Sequence, residues 1–422
     1  MTTAQQILNA REQRNRLLDS LCKDNNVVTI KANVPGDNKL IGEASLLVAL
    51  FTKLVSNFVK GRVALVENAD GRCAIITFQG DAQTVKNQTV LLEDAHPLGR
   101  FVDIDVRPMG QQSSLSRGKL RKCFVCDNPA FVCGRICAHT QQQLLHALTT
   151  SVRSYFSSRL HALLSSSAMA ELNLEDKFGL VTPTTNGSHP DMDYNLMVAA
   201  QQAILPYLVQ MFWQGFDLAT DQDLLTAIRP TGIAAEAAMN QATNGVNAYK
   251  GLIFVLGLLV ASLGKVLSGC GDLDEVYANV KQTCADILNE FRNAPTSYGV
   301  QAYSSHGIGG VREHARQGFA CVKDAVQVLE QSNSLLQTLV HIVGNTDDTV
   351  LLKRSKSLEA YLSNKQMIAS VNTGDAQQVK LVNDKCLQSN LSIGGSADVL
   401  VATIFMSEVT KLTYFNFYKI TN

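Results

Sequence analysis

The chain has 422 residues, 46% of them hydrophobic and 18% charged, and its 37 Lys and Arg balance 37 Asp and Glu. Such a length predicts two or three domains with substantial cores, and the neutral total argues against a nucleic-acid partner. The first residues lack a basic stretch followed by an apolar block, and the longest apolar run, 252–263, is short for a bilayer and holds Gly257 and Ser262. A cytoplasmic chain with no membrane role is therefore expected, its ten scattered cysteines present as thiols.

Charge is uneven along the chain. Residues 1–148 hold 18 Lys and Arg against 13 Asp and Glu, so this part is the phosphate-facing candidate. Residues 4–23 carry Ile7, Leu8, Leu17, Leu18, Leu21 and Cys22 at helical spacing. A strand is predicted over 27–34, a helix over 44–59, and short strands over 62–66 and 73–78 around the turn Asn68-Ala69-Asp70-Gly71. With another strand at 101–106, residues 1–148 form a predicted mixed α/β domain. Beyond 148 strand signals almost vanish, and 201–216, 231–265, 272–292, 311–343 and 396–412 read as long helices. Residues 149–422 are thus a predicted all-α bundle, entered through the Ser-rich, partly helical 149–167, and no internal repeat is visible.

The run His96-Pro97-Leu98-Gly99-Arg100-Phe101-Val102-Asp103-Ile104-Asp105 is the most informative stretch. In a strand Asp103 and Asp105 share one face while Val102, Ile104 and Val106 turn to a core. Paired carboxylates suit Mg²⁺ beside substrate phosphates, hence phosphoryl or nucleotidyl transfer; a solvated acidic strand is the alternative. Downstream, Arg117, Lys119, Arg121 and Lys122 follow Ser114 and Ser116, offering charge-assisted bonds to phosphates or simply a solvated basic loop. Asn33-Val34-Pro35-Gly36 with Lys39 is a further phosphate-contact candidate. Cys123, Cys126, Cys133 and His139 have spacings compatible with one tetrahedral Zn²⁺ or with packed thiols. A zinc-knuckle-like cluster beside basic residues also occurs in nucleic-acid binders, but no aromatic residues interleave the basic run.

These motifs, in this order over the first 148 residues, resemble the phosphoribosyl-dephospho-coenzyme-A transferase of the citrate lyase system. The resemblance implies a nucleotidyltransferase-like domain that attaches the prosthetic group to a serine of the apo-citrate lyase acyl carrier (gamma) subunit, releasing pyrophosphate. Asp103 and Asp105 are then expected to be catalytic and to hold Mg²⁺, with Arg100, Arg117, Arg121 and Lys39 on phosphates.

The second half resembles a different enzyme of that system, the triphosphoribosyl-dephospho-coenzyme-A synthase, through Lys177-Phe178-Gly179-Leu180-Val181, Asn186-Gly187-Ser188-His189-Pro190-Asp191-Met192-Asp193, the segment from Glu236 to Phe254, Gly307-Ile308 with Arg312, Asp348-Thr349, and Gly394-Gly395-Ser396-Ala397-Asp398. The resemblance implies that ATP and 3′-dephospho-coenzyme A combine with loss of adenine. Cleaving that glycosidic bond builds positive charge on ribose and asks for a carboxylate, a base for the attacking hydroxyl and an acid for the purine. If 236–250 is one helix, Glu236, Asn240, Thr243 and Asn247 form a polar stripe with Lys250 one turn on, facing a substrate pocket or bridging helices internally. Glu236 and Asp191 are the expected catalytic carboxylates. Asp191, Asp193, Asp348 and Asp398 are expected to converge on Mg²⁺, and His189, Asn247, Lys250, Arg312, Gly394, Gly395 and Ser396 to bind substrate, the last three as backbone donors at a helix start.

The chain departs from the synthase pattern at Phe178, Ala248-Tyr249, Glu313-His314, Ser355-Lys356 and Ile393. The expected function is a bifunctional fusion of synthase and carrier-loading transferase. The alternatives are a transferase joined to a binding-only helical domain, and a zinc-stabilised scaffold for nucleic acid or protein.

Overall fold

The computed structural model describes residues 3–219, 222–269, 271–292, 298–412 and 418–419. The chain divides into two compact units, one of Met1–Ser158 with Leu267–Asp272 and Thr410–Asn422, the other of Arg159–Val266 with Leu273–Val409.

The first unit is mixed α/β. Its elements are α1 (Thr3–Leu21), β1 (Asn26–Ala32), α2 (Gly42–Ser56), β2 (Gly61–Asn68), β3 (Gly71–Phe78), α3 (Ala82–Ala95), β4 (Val102–Arg107), α4 (Ala130–Arg135), the first part of α5 (Gln141–Leu172), and the two-residue β5 (Tyr418–Lys419). The sheet order is β4-β1-β3-β2-β5, antiparallel throughout except for the β2–β5 pair. Alternation decides which face each side chain serves. Val28, Ile30, Ala74, Ile76, Val102, Ile104 and Val106 are buried. On the opposite face Val27, Val66, Cys73 and Ile75 pack with Leu18 and Cys22 of the α1 segment. The Ser-rich segment 149–167, expected to be partly helical, lies wholly inside the 32-residue α5.

The second unit is helical, as the periodicity predicts. After the remainder of α5 come α6 (Tyr194–Phe216), α7 (Leu224–Ala242), α8 (Lys250–Ser268), α9 (Leu273–Thr283), α10 (Tyr298–His306), α11 (Gly310–Arg316), α12 (Ala320–Ser332), α13 (Leu335–Asn345), α14 (Thr349–Ser355), α15 (Leu358–Ala369), α16 (Ala376–Gln388) and α17 (Gly394–Leu412). Helix starts carry side-chain caps that accept orphan N–H groups: Asp193, Asp223, Ser334, Asp348, Ser357 and Asp375. α6 and α8 are long and apolar enough to cross a membrane; the apolar window of α8 is 78% buried inside the fold, as in a core helix.

Three expected helices are broken. Residues 231–265 form α7 and α8, separated where Asn244 and Gly245 take left-handed backbone at φ 53° and 89°. Residues 311–343 form α11, α12 and α13, interrupted at Phe319 and Asn333, both at φ 51°. Residues 272–292 stop as α-helix at Thr283 and end in a 3₁₀ turn over Ile287–Arg292. Apolar spacing continues through these breaks because both sides pack on one core, whereas a single left-handed residue ends the hydrogen-bond ladder.

Candidate functional site

In the first unit the site is built on β4, an edge strand paired with β1. Asp103 and Asp105 point away from the core side of β4, and the register sets Asp103 opposite Lys31 and Asp105 opposite Thr29. Arg121 donates to Asp103 at 2.5 Å, to Glu93 at 3.0 Å and to the Val102 carbonyl at 2.6 Å. Glu93, buried on α3, also accepts the Ile104 N–H at 2.9 Å and an Arg117 guanidinium that Asp94 holds from its other side. Lys86, one stripe back on α3 and 2% exposed, donates to the Ile104 carbonyl at 2.9 Å and stands 3.7 Å from Asp105. Burial, then the charge of Asp103, pushes the Asp105 carboxyl above the usual range, with Lys86 and Arg121 opposing. Burial likewise raises Glu93, against Arg121 and Arg117. Carboxylates and cations thus alternate across a small patch, an arrangement in which each has a partner to exchange for metal or phosphate.

Arg117 and Arg121 stand at this centre, whereas the other two expected phosphate cations have different partners. Arg100 donates to the Cys123 carbonyl at 3.1 Å, and Lys39 folds back on the Val34 carbonyl at 2.5 Å. Burial, followed by Arg11, lowers the Lys39 ammonium. Sequence reasoning missed Glu93 and Lys86. Their spacing of seven on an amphipathic helix, two charges on a face that should be apolar, was the available signal. It also missed Asp70, whose fully buried carboxylate accepts from Arg11 at 2.9 Å, Arg14 at 2.5 Å and Lys31.

The expected Cys/His set does come together. Cys123, Cys126, Cys133 and His139 offer ligand atoms all within 4.8 Å of one another, and among the described residues no other group of three or more such side chains meets that test. Cys126 Sγ lies 3.5 Å from Cys133 Sγ and 3.4 Å from His139 Nε2. Although burial opposes it, N–H groups of Val125 and Cys126 hold the Cys123 thiol below its ordinary pKa.

In the second unit the polar stripe is not one helix, yet its ends meet. The turn after α7 brings Lys250 Nζ to within 2.8 Å of Glu236 Oε2, and Asn247 Oδ1 accepts the Lys250 N–H at 3.2 Å. The next residue, Gly251, lies so close to the Asp398 carboxylate that any Cβ there would collide with it, so only glycine permits this approach. Asp398 keeps partial solvent contact, yet protein crowds it: burial, then Asp348 and Glu171, push its carboxyl well above the usual range. Asp348 is 3% exposed, caps α14 and accepts from Ser396 N–H at 2.7 Å and Ser396 Oγ at 2.9 Å. Gly395 packs against the Asp348 carboxylate, where a Cβ would stand 3.0–3.2 Å from it, a tight contact. Behind them, Lys177 Nζ meets Glu171 at 2.8 Å in a buried pair, and burial pushes both toward neutrality. The Tyr249 hydroxyl, buried nearby, has no hydrogen-bond partner.

The expected aspartates divide. Asp348 and Asp398 interact, whereas Asp191 and Asp193 are exposed, Asp193 capping α6 through the Leu196 N–H at 2.7 Å. His189 instead binds Ser392 Oγ at 2.9 Å and approaches Arg354 at 3.4 Å; burial and then Arg354 lower its pKa. Arg312 lies over the Phe291 ring at 4.7 Å, and Phe291 and Tyr303 line a cavity of about 1040 Å³ with Gly307, Glu313, Arg316 and Asp347. Gly394 begins α17, whose first turn presents backbone N–H groups beside Asp348. Of the divergent positions, His314 is buried and bonds the Asp347 carbonyl at 3.1 Å, while Phe178 and Ile393 are fully buried.

The α/β unit thus carries an edge strand of carboxylates among cations and the helical unit carries buried carboxylates of its own, and the family matches make the chain a transferase. Residues 157–417 match the family model for ATP:dephospho-CoA triphosphoribosyl transferase, and residues 2–155 match that for apo-citrate lyase phosphoribosyl-dephospho-CoA transferase. The chain belongs to the first family over most of its length, with a domain of the second ahead of it. Among curated relatives, "Protein CitXG" of Haemophilus influenzae is 28% identical across 94% of both chains, and the protein of that name from Leuconostoc mesenteroides subsp. cremoris is 28% identical across 91% of both. A 2-(5′′-triphosphoribosyl)-3′-dephosphocoenzyme-A synthase of Haemophilus ducreyi is 31% identical over 67% of this chain and 98% of its own length.

Proposed function

We propose that the chain makes and attaches the citrate lyase prosthetic group, and that its two carboxylate centres divide the work. The observation that carries this is the occurrence of one such centre inside each of the two family matches. The alternatives of a binding-only helical domain or a nucleic-acid scaffold have no comparable support.

In the helical unit, a ribose hydroxyl of 3′-dephospho-coenzyme A attacks the anomeric carbon of ATP, the bond to adenine breaks, and the triphosphate stays on the new product. Asp398, whose carboxyl burial pushes well above the usual range, is suited to give a proton to departing adenine. Glu236 supplies negative charge for the ribose cation, and Lys250 with the N-termini of α8 and α17 meets the triphosphate. Arg312, Phe291 and Tyr303 offer a flat cationic and aromatic wall for a purine. Asp191, beside His189, remains our candidate base. Four hydrogen bonds occupy the Asp348 oxygens and Asp398 is the proton donor, so Mg²⁺ would enter with the triphosphate and neutralise its charge.

In the α/β unit, a serine hydroxyl of the apo-citrate lyase acyl carrier subunit attacks the phosphorus next to ribose, and pyrophosphate leaves. Asp103 and Asp105 would hold Mg²⁺, the acidic oxygens being the hard ligands that ion prefers. Arg117 and Arg121 exchange carboxylate partners for phosphate oxygens. We place both steps in the cytoplasm, where free thiols persist.

The test is to supply ATP, Mg²⁺ and 3′-dephospho-coenzyme A and follow free adenine, then supply the finished precursor and follow carrier loading by mass. Both activities are expected. Loading without coenzyme-dependent adenine release would leave the helical unit a binding domain.

A further inference from the structure

We propose that Cys123, Cys126, Cys133 and His139 hold one Zn²⁺ and that this metal positions Arg121 and Arg100 against the strand of Asp103 and Asp105. The positioning half rests on the reading of that carboxylate pair given above; the metal half does not.

Three observations carry the site. A tetrahedral zinc with bonds of about 2.3 Å to sulfur and 2.0 Å to nitrogen sets its ligands about 3.5–3.8 Å apart. The observed 3.5 Å between sulfurs and 3.4 Å between sulfur and nitrogen match that, and the sulfurs are too far apart for a disulfide. Next, the loop has the shape of a metal knuckle: the Cys123 N–H bonds the Asn128 carbonyl at 2.9 Å, the Ala130 N–H bonds the Arg121 carbonyl at 2.8 Å, and Lys122 bridges Pro129. Finally, burial does not hold this loop together. Leu120 is 68% exposed, Ile136 70% and Phe131 47%, so these large apolar residues face outward while Cys123 and Cys133 are buried. A segment that turns cysteines rather than leucines to its centre is ordered by metal. On binding, each thiol gives its proton to water as a Zn–S bond forms, and no electron is transferred.

The loop then reaches the reaction centre by short paths. Arg121, two residues before the first ligand, contacts Asp103, Glu93 and the Val102 carbonyl. Arg100, three residues before Asp103, donates to the carbonyls of Cys123 and Phe124, and the Phe101 and Phe124 rings meet at 4.8 Å. Zinc is accordingly required for carrier loading and not for adenine release.

The experiment uses the full chain. Zinc content is measured by mass spectrometry, the metal is exchanged for Co²⁺ to record tetrahedral thiolate bands, and both activities are assayed for the parent, C133S, H139C and C137S. We expect about one zinc per chain, loss of zinc and a fall of about 10-fold or more in loading for C133S, unchanged adenine release, retention of both in C137S, and recovery in H139C through a four-cysteine site. Absence of stoichiometric zinc together with absence of tetrahedral cobalt bands overturns the site. Zinc lost from C133S with loading intact overturns the positioning role. D103N run alongside separates the failures: loading that survives D103N refutes the carboxylate assignment and leaves the metal result standing.

Discussion

Arg121 donates to Asp103 at 2.5 Å while the same guanidinium reaches Glu93 at 3.0 Å. A cation bridging the exposed carboxylate of the strand and the buried one of α3 keeps Asp103 aimed before any substrate arrives. It also means that a phosphate or a metal must displace an existing ion pair. One guanidinium nitrogen, Nη2, reaches both carboxylates while Nη1 holds the Val102 carbonyl, a forked geometry that lysine's single nitrogen does not reproduce. R121K is therefore expected to lower carrier loading by about 10- to 100-fold while adenine release is unchanged, measured as initial rates on the full chain. Equal rates in parent and variant would remove Arg121 from the reaction.

Asp398 predicts opposed effects on stability and activity. Its folded pKa is raised, chiefly by burial. The unfolded carboxyl ionises near pH 4 while the folded one stays protonated, so its contribution is fully present below that pH and is lost as pH climbs toward the raised folded value. D398N removes this cost, so the variant should melt at a higher temperature than the parent at neutral pH, the difference vanishing near pH 3. Adenine release should fall by about 100-fold or more, the usual worth of a general acid. A variant that keeps full adenine release would exclude Asp398 as proton donor.

Tyr249 carries a buried hydroxyl with no partner. Leaving such a donor unpaired costs on the order of 1 kcal/mol or more, so Y249F should be stabilised by about 1 kcal/mol in denaturant melts. If substrate supplies the missing partner, Y249F also raises KM for ATP or dephospho-coenzyme A. A stabilised variant with unchanged KM would mark the hydroxyl as a tolerated defect.

Asp70 is the keystone of a buried ion cluster with Arg11, Arg14 and Lys31. Replacing it with alanine strands cations against a buried surface, and a loss of about 3 kcal/mol is expected. Burial works against the Asp70 charge, but hydrogen bonds from Lys31, Arg11 and Arg14 hold its pKa below the usual value. Its stabilisation is present above pH 4 and disappears as pH falls through the lowered folded pKa. D70A should therefore flatten the acid limb of the stability profile, and an unchanged limb would show that other carboxylates dominate it.

Local pattern determined much of this protein. Alternation in Val102–Val106 is enough to turn Asp103 and Asp105 to one side, apolar spacing is enough to make the second unit helical, and the spacing from Cys123 to His139 is enough to propose one cluster. These features depend on neighbours along the chain, so sequence carries them. What surrounds Asp103 was decided by tertiary structure, because Glu93 and Lys86 come from another element and look like ordinary charges on an amphipathic helix. The same holds for the end of α7: left-handed Asn244 and Gly245 break the expected helix, yet the turn they make is what joins Glu236 to Lys250. The close approach of Gly251 to the Asp398 carboxylate, which a Cβ would obstruct, is likewise a packing between separate elements that no periodicity records.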